Sequence, residues 1–388
     1  MAIPASPSPI SFSQLKTEFP TLYSPIRLSD FYRNTAPLNG LESTLGVSSN
    51  NINVPVSGSI SLSNFYNAYR ELIYVVGTTV ETIAPEYLFG VVEWSDSSIL
   101  KRIRINSGVE VGGIFNPSYG TNVDAMYISV YLAGQFTIEN RGFISGAGGR
   151  ILGDGSGGIG GTAIRIDYPP EGFDQPVIYI DNTYGTIRGG GGAGGLGGAG
   201  GAGGAGGNGS YSEYAGESCN TNTYQATGGC GAGSVTGFFQ FPNGVILFNC
   251  SLTTCVPVYN TINTTGGPGG SGGGAGQPGR GRGYDNTNIA GSPGYSGDPG
   301  SAGSGSGAGA GGQGGNGGGG GNGGEYGQPG NNGGTGFPGS PGENGNVTGG
   351  SPGEPAIEPK TGGLAGYYLF GSDHVQWIGY GTLLGQLY

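Results

Sequence analysis

Apolar and polar positions change rhythm along the chain, and each rhythm predicts a different element. Between residues 1 and 73 a unit of the form apolar, x, apolar, Ser, polar, apolar recurs as Ile10-Ser-Phe-Ser-Gln-Leu15, Ile26-Arg-Leu-Ser-Asp-Phe31 and Ile60-Ser-Leu-Ser-Asn-Phe65. Related leaders, Ile3-Pro-Ala-Ser6 and Val54-Pro-Val-Ser57, precede the first and last copies. The second serine of each unit, Ser13, Ser29 or Ser63, is placed to cap a short helix through its hydroxyl. Leu15/Phe19, Phe31/Tyr32 and Phe65/Tyr69 would give those helices an apolar face. Pieces this short bury too little apolar area to stand alone. The pattern fits docking onto a larger assembly at least as well as a small helical domain.

From about Ile73 to Gly190 the rhythm is that of strands. Val91-Val92, Ile99 to Ile105, Met126 to Leu132, Phe136 to Ile138 and Val177 to Ile180 alternate or run apolar between turn residues. A longer unit repeats here: Ile138-Glu-Asn-Arg-Gly142-Phe-Ile-Ser-Gly146 corresponds to Ile180-Asp-Asn-Thr-Tyr-Gly185-Thr-Ile-Arg-Gly189, with one residue inserted. Ile105-Asn-Ser-Gly108-Val-Glu-Val-Gly112 reads as a looser copy. Strand, Asn-containing turn, strand and Gly in succession predict stacked β-coils or a meander.

The rhythm then becomes three. Ala193, Leu196, Ala199, Ala202, Ala205 and Asn208 are each separated by two glycines, and Gly recurs at every third position from Gly312 to Gly345. Glycine tracts are ordinarily flexible, but a strict period of three matches the polyproline II helix, which then keeps a face free of side chains. Such helices can pack and hydrogen-bond side by side. Residues 193–208 would make a helix of about 50 Å at ~3.1 Å per residue. The run Gly317 to Gly321 carries no side chain and is expected in the interior, where Gly319→Val should cost several kcal/mol by overpacking. An insert, Ser210 to Thr265, interrupts the tract with cysteines and aromatics, and residues 364–388 read as closing strands. The expected fold is therefore mainly β with polyglycine II. It divides into an N-terminal docking region (1–73), a strand-repeat domain (74–190), a glycine-rich body (191–363, insert 210–265) and terminal strands (364–388).

Composition narrows the function. The 388 residues include 92 Gly and carry a net charge of −11. Between Gly189 and Pro359 the cations are Arg280 and Arg282, which argues against nucleic acid as a partner. The segment Met1 to Leu15 lacks the basic and apolar regions of a secretory signal, and no run reaches the ~20 apolar residues of a membrane span. The expectation is synthesis in a cytoplasm, with release by a route such as lysis. Cys219, Cys230, Cys250 and Cys255 allow three pairings. Their spacing is not that of a zinc site, and both disulfides formed after release and free buried thiols fit.

Candidate chemistry does not accumulate. Gly153-Asp-Gly155-Ser-Gly-Gly158 satisfies G-x-G-x-x-G, but no helix pattern follows it. Two G-x-S-x-G matches, around Ser271 and Ser351, lie in glycine tracts rather than between strand and helix. His374 stands beside Asp373 without a nucleophile partner, and nothing in the spacing of Asp154, Asp167, Glu171, Asp174 and Asp181 selects a glycosidase pair. No enzyme, cofactor or metal site is expected. The aromatics are more promising as contacts: Tyr211, Tyr214 and Tyr224 in the insert, and Tyr284, Tyr295, Tyr326 and Phe337 punctuating the glycine tracts. Rigid aromatics on loops supply contact area at low entropy cost; the alternative is that they cap helix ends against water.

With these features in this order the chain resembles tailed-bacteriophage receptor-binding proteins, specifically the glycine-rich adhesins of tail-fibre tips. The resemblance rests on the units at Ile138 to Gly149 and Ile180 to Gly192, which share I-x-N, then one or two residues, then G-x-I-x-G, on the G-G-x arrays, and on the ending from Tyr367 to Gly385. The S-x-S-x-F-Y units also resemble N-terminal repeats of phage virion proteins. It implies a sandwich of polyglycine II helices in the virion, with distal loops that bind a bacterial surface glycan or outer-surface protein without chemistry. Other tail or fibre proteins would be held through residues 1–73, and the protein would act singly or as a homotrimer. No binding residue transfers, because such loops differ between adhesins. The alternative is a purely structural, collagen-like fibre or decoration protein. Gly312 to Gly345, with Pro329, Pro338 and Pro341, fits it, whereas the proline-poor G-G-x tract and the register break at Ser304 to Gly311 do not.

Overall fold

The computed structural model describes residues 8–18, 27–31, 40–41, 53–66, 68, 71–97, 99–168, 176–227, 229–286, 290–373 and 375–388. Its strands form a three-sided prism of parallel coils. Face A stacks Glu71–Val76, Leu100–Ile105, Gln135–Asn140, Val177–Asp181 and Val375–Gly379, with Gly40–Leu41 antiparallel at its edge. Face B stacks Val80–Glu81, Glu110–Gly112, Phe143–Ser145, Thr186–Arg188 and Thr382–Leu384. Face C stacks Met126–Ile128, Ile164–Ile166, Tyr367–Phe370 and Gln386–Leu387, with Ile83 bridging to Met126. The strands of residues 367–387 are thus coils of the same prism as residues 71–188.

Equivalent side chains stack through its interior. Ile103, Ile138, Ile180 and Trp377 are successive register partners on face A, as are Val111, Ile144, Ile187 and Leu383 on face B. Ile83, Met126, Ile164 and Leu369 do the same on face C. All belong to, or pack against, one apolar core. At the A–B corner the repeated asparagines bond to each other, Asn140 Nδ2 donating to Asn182 Oδ1 at 2.7 Å. The longer repeat therefore pairs in register, but its looser copy is displaced by two residues. Ile103, not Ile105, faces Ile138, and Ile105 occupies the asparagine position. Val91-Val92 is not a strand: it opens the helix Val91–Trp94, which buries Trp94 and leaves both valines exposed.

The N-terminal units build a small core of their own. Leu15, Phe31 and Phe65, the last residue of each unit, are fully buried together with Ile10, Val54 and Ala68, and Phe31 meets Phe65 edge-on at 6.2 Å. Capping falls to the first serine, not the second. Ser11 Oγ accepts from Gln14 N at 3.2 Å while Ser11 N donates to Gln14 Oε1 at 2.7 Å, and Ser61 N donates to Asn64 Oδ1 at 2.7 Å. Ser13 and Ser63 sit inside their helices and bond back to these serines. The first serine becomes Arg27 in the middle unit, which hid the pattern. Phe19, Tyr32, Tyr69 and the Ser29 side chain lie outside the described residues.

Between faces B and C the chain leaves the prism repeatedly, through residues 113–125, 146–163 and 189–366. The last excursion is a bundle of extended rods: I (189–208), II (266–283), III (290–303), IV (309–325), V (329–345) and VI (349–366). Their hydrogen bonds repeat every third residue. Gly194, Gly197 and Gly200 of rod I donate to Gly279, Gly276 and Gly273 of rod II, while Gly195, Gly198 and Gly201 donate to Asn331, Gly334 and Phe337 of rod V. Gly198 O accepts from Gly318 N of rod IV at 2.7 Å, and Ala199 O from Ile357 N of rod VI at 2.9 Å. Rod IV in turn bonds to rods I, II, III and V. The pairing arranges the rods as two rows, II–I–VI and III–IV–V.

Glycine serves here by lacking a Cβ, because none of the left-handed glycines lies within a rod. A Cβ on Gly197 would sit 2.1 Å from Gly318 O, and one on Gly318 2.1 Å from Gly334 O. Gly319 is different. Its nearest neighbour would be Ser292 O at an ordinary 3.5 Å, since it stands in the outward phase shared with Asn316 and Asn322. The expected cost of Gly319→Val therefore belongs to its neighbour Gly318.

Candidate functional site

Rod I runs from the prism to the far end of the bundle, where the insert continues as a β-ribbon. Gly209–Ala226 pairs antiparallel with Ile246–Thr264 over almost its whole length, and Ser234–Gln240 adds to the outer half of Ile246–Thr264. An 18-residue strand at ~3.4 Å per residue extends about 60 Å. A two-stranded ribbon is marginal in water; here the disulfide Cys219–Cys255 ties the two long strands together, and Cys230–Cys250 ties the connection after Ala226 to Ile246–Thr264.

Its root is fixed by side-chain bonds from the neighbouring loops. Ser210 N donates to Asn346 Oδ1 at 2.8 Å and Asn346 Nδ2 returns a bond to Ser210 O at 2.7 Å. Thr265 N donates to Ser304 Oγ at 2.8 Å, and Asn208 N to Thr348 Oγ1 at 2.7 Å. Serine, threonine and asparagine at the rod ends thus join the ribbon to the loops between rods III and IV and between rods V and VI.

Along the ribbon Tyr211, Tyr214 and Tyr224 are half-exposed. Tyr214 packs edge-on against its cross-strand partner Tyr259 at 6.0 Å, and Tyr224 Oη donates to Cys230 O. Phe238 and Phe239, adjacent in one strand and so directed to opposite sides, are 66% and 69% exposed. Both sides of the ribbon are therefore uncovered near its tip. In the sequence this pair is visible as adjacent aromatics within the insert. Glu213 and Glu217 are the charged residues of the three strands.

The other aromatics separate into two places. Tyr295 on rod III and Phe337 on rod V project from the flanks, 67% and 61% exposed. Tyr284 and Tyr326 lie at the opposite end and fasten the rods to the prism. The Tyr284 ring fills the space over Gly112, and Arg188 lies 3.8 Å from the Tyr326 ring centre. Burial raises the pKa of both phenols. Beside them Asp285 accepts from Phe115 N and Gly148 N, each at 2.9 Å.

The carboxylates considered for catalysis serve their own turns or neighbours. Asp154 Oδ1 accepts from Ser156, Asp181 Oδ1 from Thr183, and Asp167 from Tyr127 and Arg165. Glu171, Asp174 and His374 lie outside the described residues. Among the described residues one grouping has metal-ligand composition, Glu217 with Cys219 and Cys255, and its two sulfurs are joined in a disulfide. No described helix is long and apolar enough to cross a membrane.

Compared with known proteins, residues 71–298 match a family model described as phage tail fibre adhesin Gp38. The match spans the coils of the prism up to residue 188, the ribbon and rods I and II, which is more than half of the chain. No curated protein and no solved structure matches.

Proposed function

The chain belongs to the phage tail fibre adhesins, and within that role of virion component and host-recognition protein we propose that its β-ribbon makes the receptor contact. The observation that carries this reading is the placement of the ribbon. It is rooted by hydrogen bonds at the end of the bundle remote from the prism, and uncovered aromatic rings stand on both of its sides. Tyr211, Tyr214 and Tyr224 contribute along its length, and Phe238 and Phe239 near its tip. Tyr295 and Phe337 border the contact from the flanks.

The receptor is a surface glycan or an outer-surface protein, held without covalent chemistry. With few charges on the ribbon, attraction is short-range and varies little with salt. We read the rods as polyglycine II helices, in keeping with their three-residue hydrogen-bond repeat, and residues 1–73 as the attachment to another tail or fibre protein.

Purified protein applied to host cells should bind and compete with phage adsorption, and Phe238→Ser with Phe239→Ser should reduce both at unchanged melting temperature. Protease-shaved cells would separate a protein receptor from a glycan. Full competition by the double variant would remove the ribbon from the contact. Virions that adsorb normally in the presence of saturating protein would favour a purely structural fibre component.

A further inference from the structure

All four cysteines of the chain lie in the β-ribbon segment, and all are paired. The prism and the rods carry none. Among the described residues between 210 and 263, the two that are buried are Cys230 and Cys250, 5% and 0% exposed. What the described ribbon shelters is therefore its own disulfide rather than an apolar core. Cys250 lies in the central strand, opposite Tyr224 on one side and Val235 on the other. Tyr224 Oη and Gly233 N both donate to Cys230 O, which fixes the connection at the bond. Cys219 and Cys255 are direct register partners near the middle of the two long strands, and both are exposed.

Strands held in this way depend on covalent closure. A small ribbon without a buried apolar face is marginal in water, and the crosslinks join residues 36 and 20 apart in sequence. Closing loops of such lengths favours the folded ribbon by about a hundredfold each. The rods are held by backbone hydrogen bonds and the prism by side-chain packing, so neither responds to thiol chemistry. Reduction should melt the ribbon and spare the rest. The root bonds at Ser210 and Thr265 hold its first and last residues, whereas Phe238 and Phe239 lie beyond Cys219–Cys255 toward the tip.

A tail fibre adhesin is made inside the infected cell, where the cytosol keeps thiols reduced, and it acts outside. Resting on the reading of the ribbon as the receptor contact, we propose that the ribbon is a redox gate. It is unfolded and non-binding in the reduced adhesin, and folds into a binding element after release into an oxidising medium. The oxidant is a small disulfide such as oxidised glutathione. One cysteine thiolate attacks it and releases a first small thiol, and the partner cysteine then attacks the mixed disulfide and releases the second. For each bond two protein thiols lose two electrons and two protons, and the small disulfide becomes two thiols. New virions are thereby kept from engaging receptor molecules still inside the cell that made them.

Full chain, reduced with a phosphine under nitrogen or oxidised with glutathione disulfide, would be compared by hydrogen exchange. Reduction should speed amide exchange within residues 209–264 about a hundredfold or more and leave the rods unchanged. A chain carrying Cys219→Ser, Cys230→Ser, Cys250→Ser and Cys255→Ser should behave as the reduced form without reductant on the cells. It should compete with phage adsorption at least about tenfold more weakly than oxidised protein, because its binding-competent fraction is small. A ribbon that keeps its protection when reduced would overturn the gate, as would a serine variant that competes as well as oxidised protein. So would disulfides already present in infected cells whose thiols are alkylated before lysis. Failure of the ribbon reading is distinct: oxidised protein with Phe238→Ser and Phe239→Ser would then compete fully, whatever the exchange rates.

Discussion

Ile138 and Gly318 each lie within a packed body of this molecule, yet they obey opposite rules. Around Ile138 the chain is held by what side chains fill, with an isoleucine above and another below on the same face of the prism. Around Gly318 it is held by what side chains leave out: the neighbouring rods approach so closely that their carbonyls occupy the space of a Cβ. The prism excludes water with apolar volume, and the rods do so with saturated backbone hydrogen bonds. Loss of volume should therefore harm the first, and gain of volume the second.

The largest effect is expected from adding a side chain to the rods. Gly318→Val places its Cβ 2.1 Å from Gly334 O and should cost more than about 4 kcal/mol or prevent folding. Gly319→Val, one residue along, should change stability by less than about 0.5 kcal/mol. Equal melting temperatures for the two variants would break the comparison. In the prism, Ile138→Ala should cost about 2–5 kcal/mol by leaving a cavity, whereas an added methylene on the outward Gly319 should be nearly silent. Reduction of the ribbon disulfides should remove about 3 kcal/mol of local stability for each. Limited proteolysis would then cut within residues 209–264 while rods and prism stay intact, and first cuts in the rods would contradict the division.

A smaller and opposite change is expected at Asp124, at the junction of the two bodies. Its folded pKa, about 6, lies above the ordinary 3.8, so between those values the native state binds the extra proton. Stability from this group is greatest below about 3.8 and falls as pH rises to about 6. Asp124→Asn should raise stability at pH 7.5 by on the order of 2 kcal/mol after allowance for partial exposure, and should flatten the melting profile between pH 4 and 6. A lowered melting temperature at pH 7.5 would mean that Arg165 offsets the desolvation.

How far the sequence is legible follows from the same contrast. The repeat of Ile138 and Ile180 is visible because a prism requires the same apolar residue at the same height on each coil. The rods announce their period of three in the same way. A period does not state its phase, however. Gly317 to Gly321 look alike when read alone, and the phase is carried by the flanking Gln313, Asn316, Asn322 and Glu325, which share the register of Gly319. Tyr284 and Tyr326 likewise share with Tyr295 a position among glycines, but the direction of each rod puts the first two against the prism. Val91-Val92 reads as a strand because local propensity is weaker than the burial of Trp94, which turns the segment into a helix.

The hydrogen bonds between rods lie across the rod axes, and rods I and VI rejoin the prism side by side, with Gly366 N bonded to Gly190 O at 2.8 Å. Tension on the ribbon therefore loads those bonds in shear, many at once, rather than peeling them one after another. A particle tethered through this protein would be held by a part whose mechanical strength grows with rod length. Lengthening the rods by whole three-residue repeats would raise the force it withstands without altering the prism or the surface at the tip.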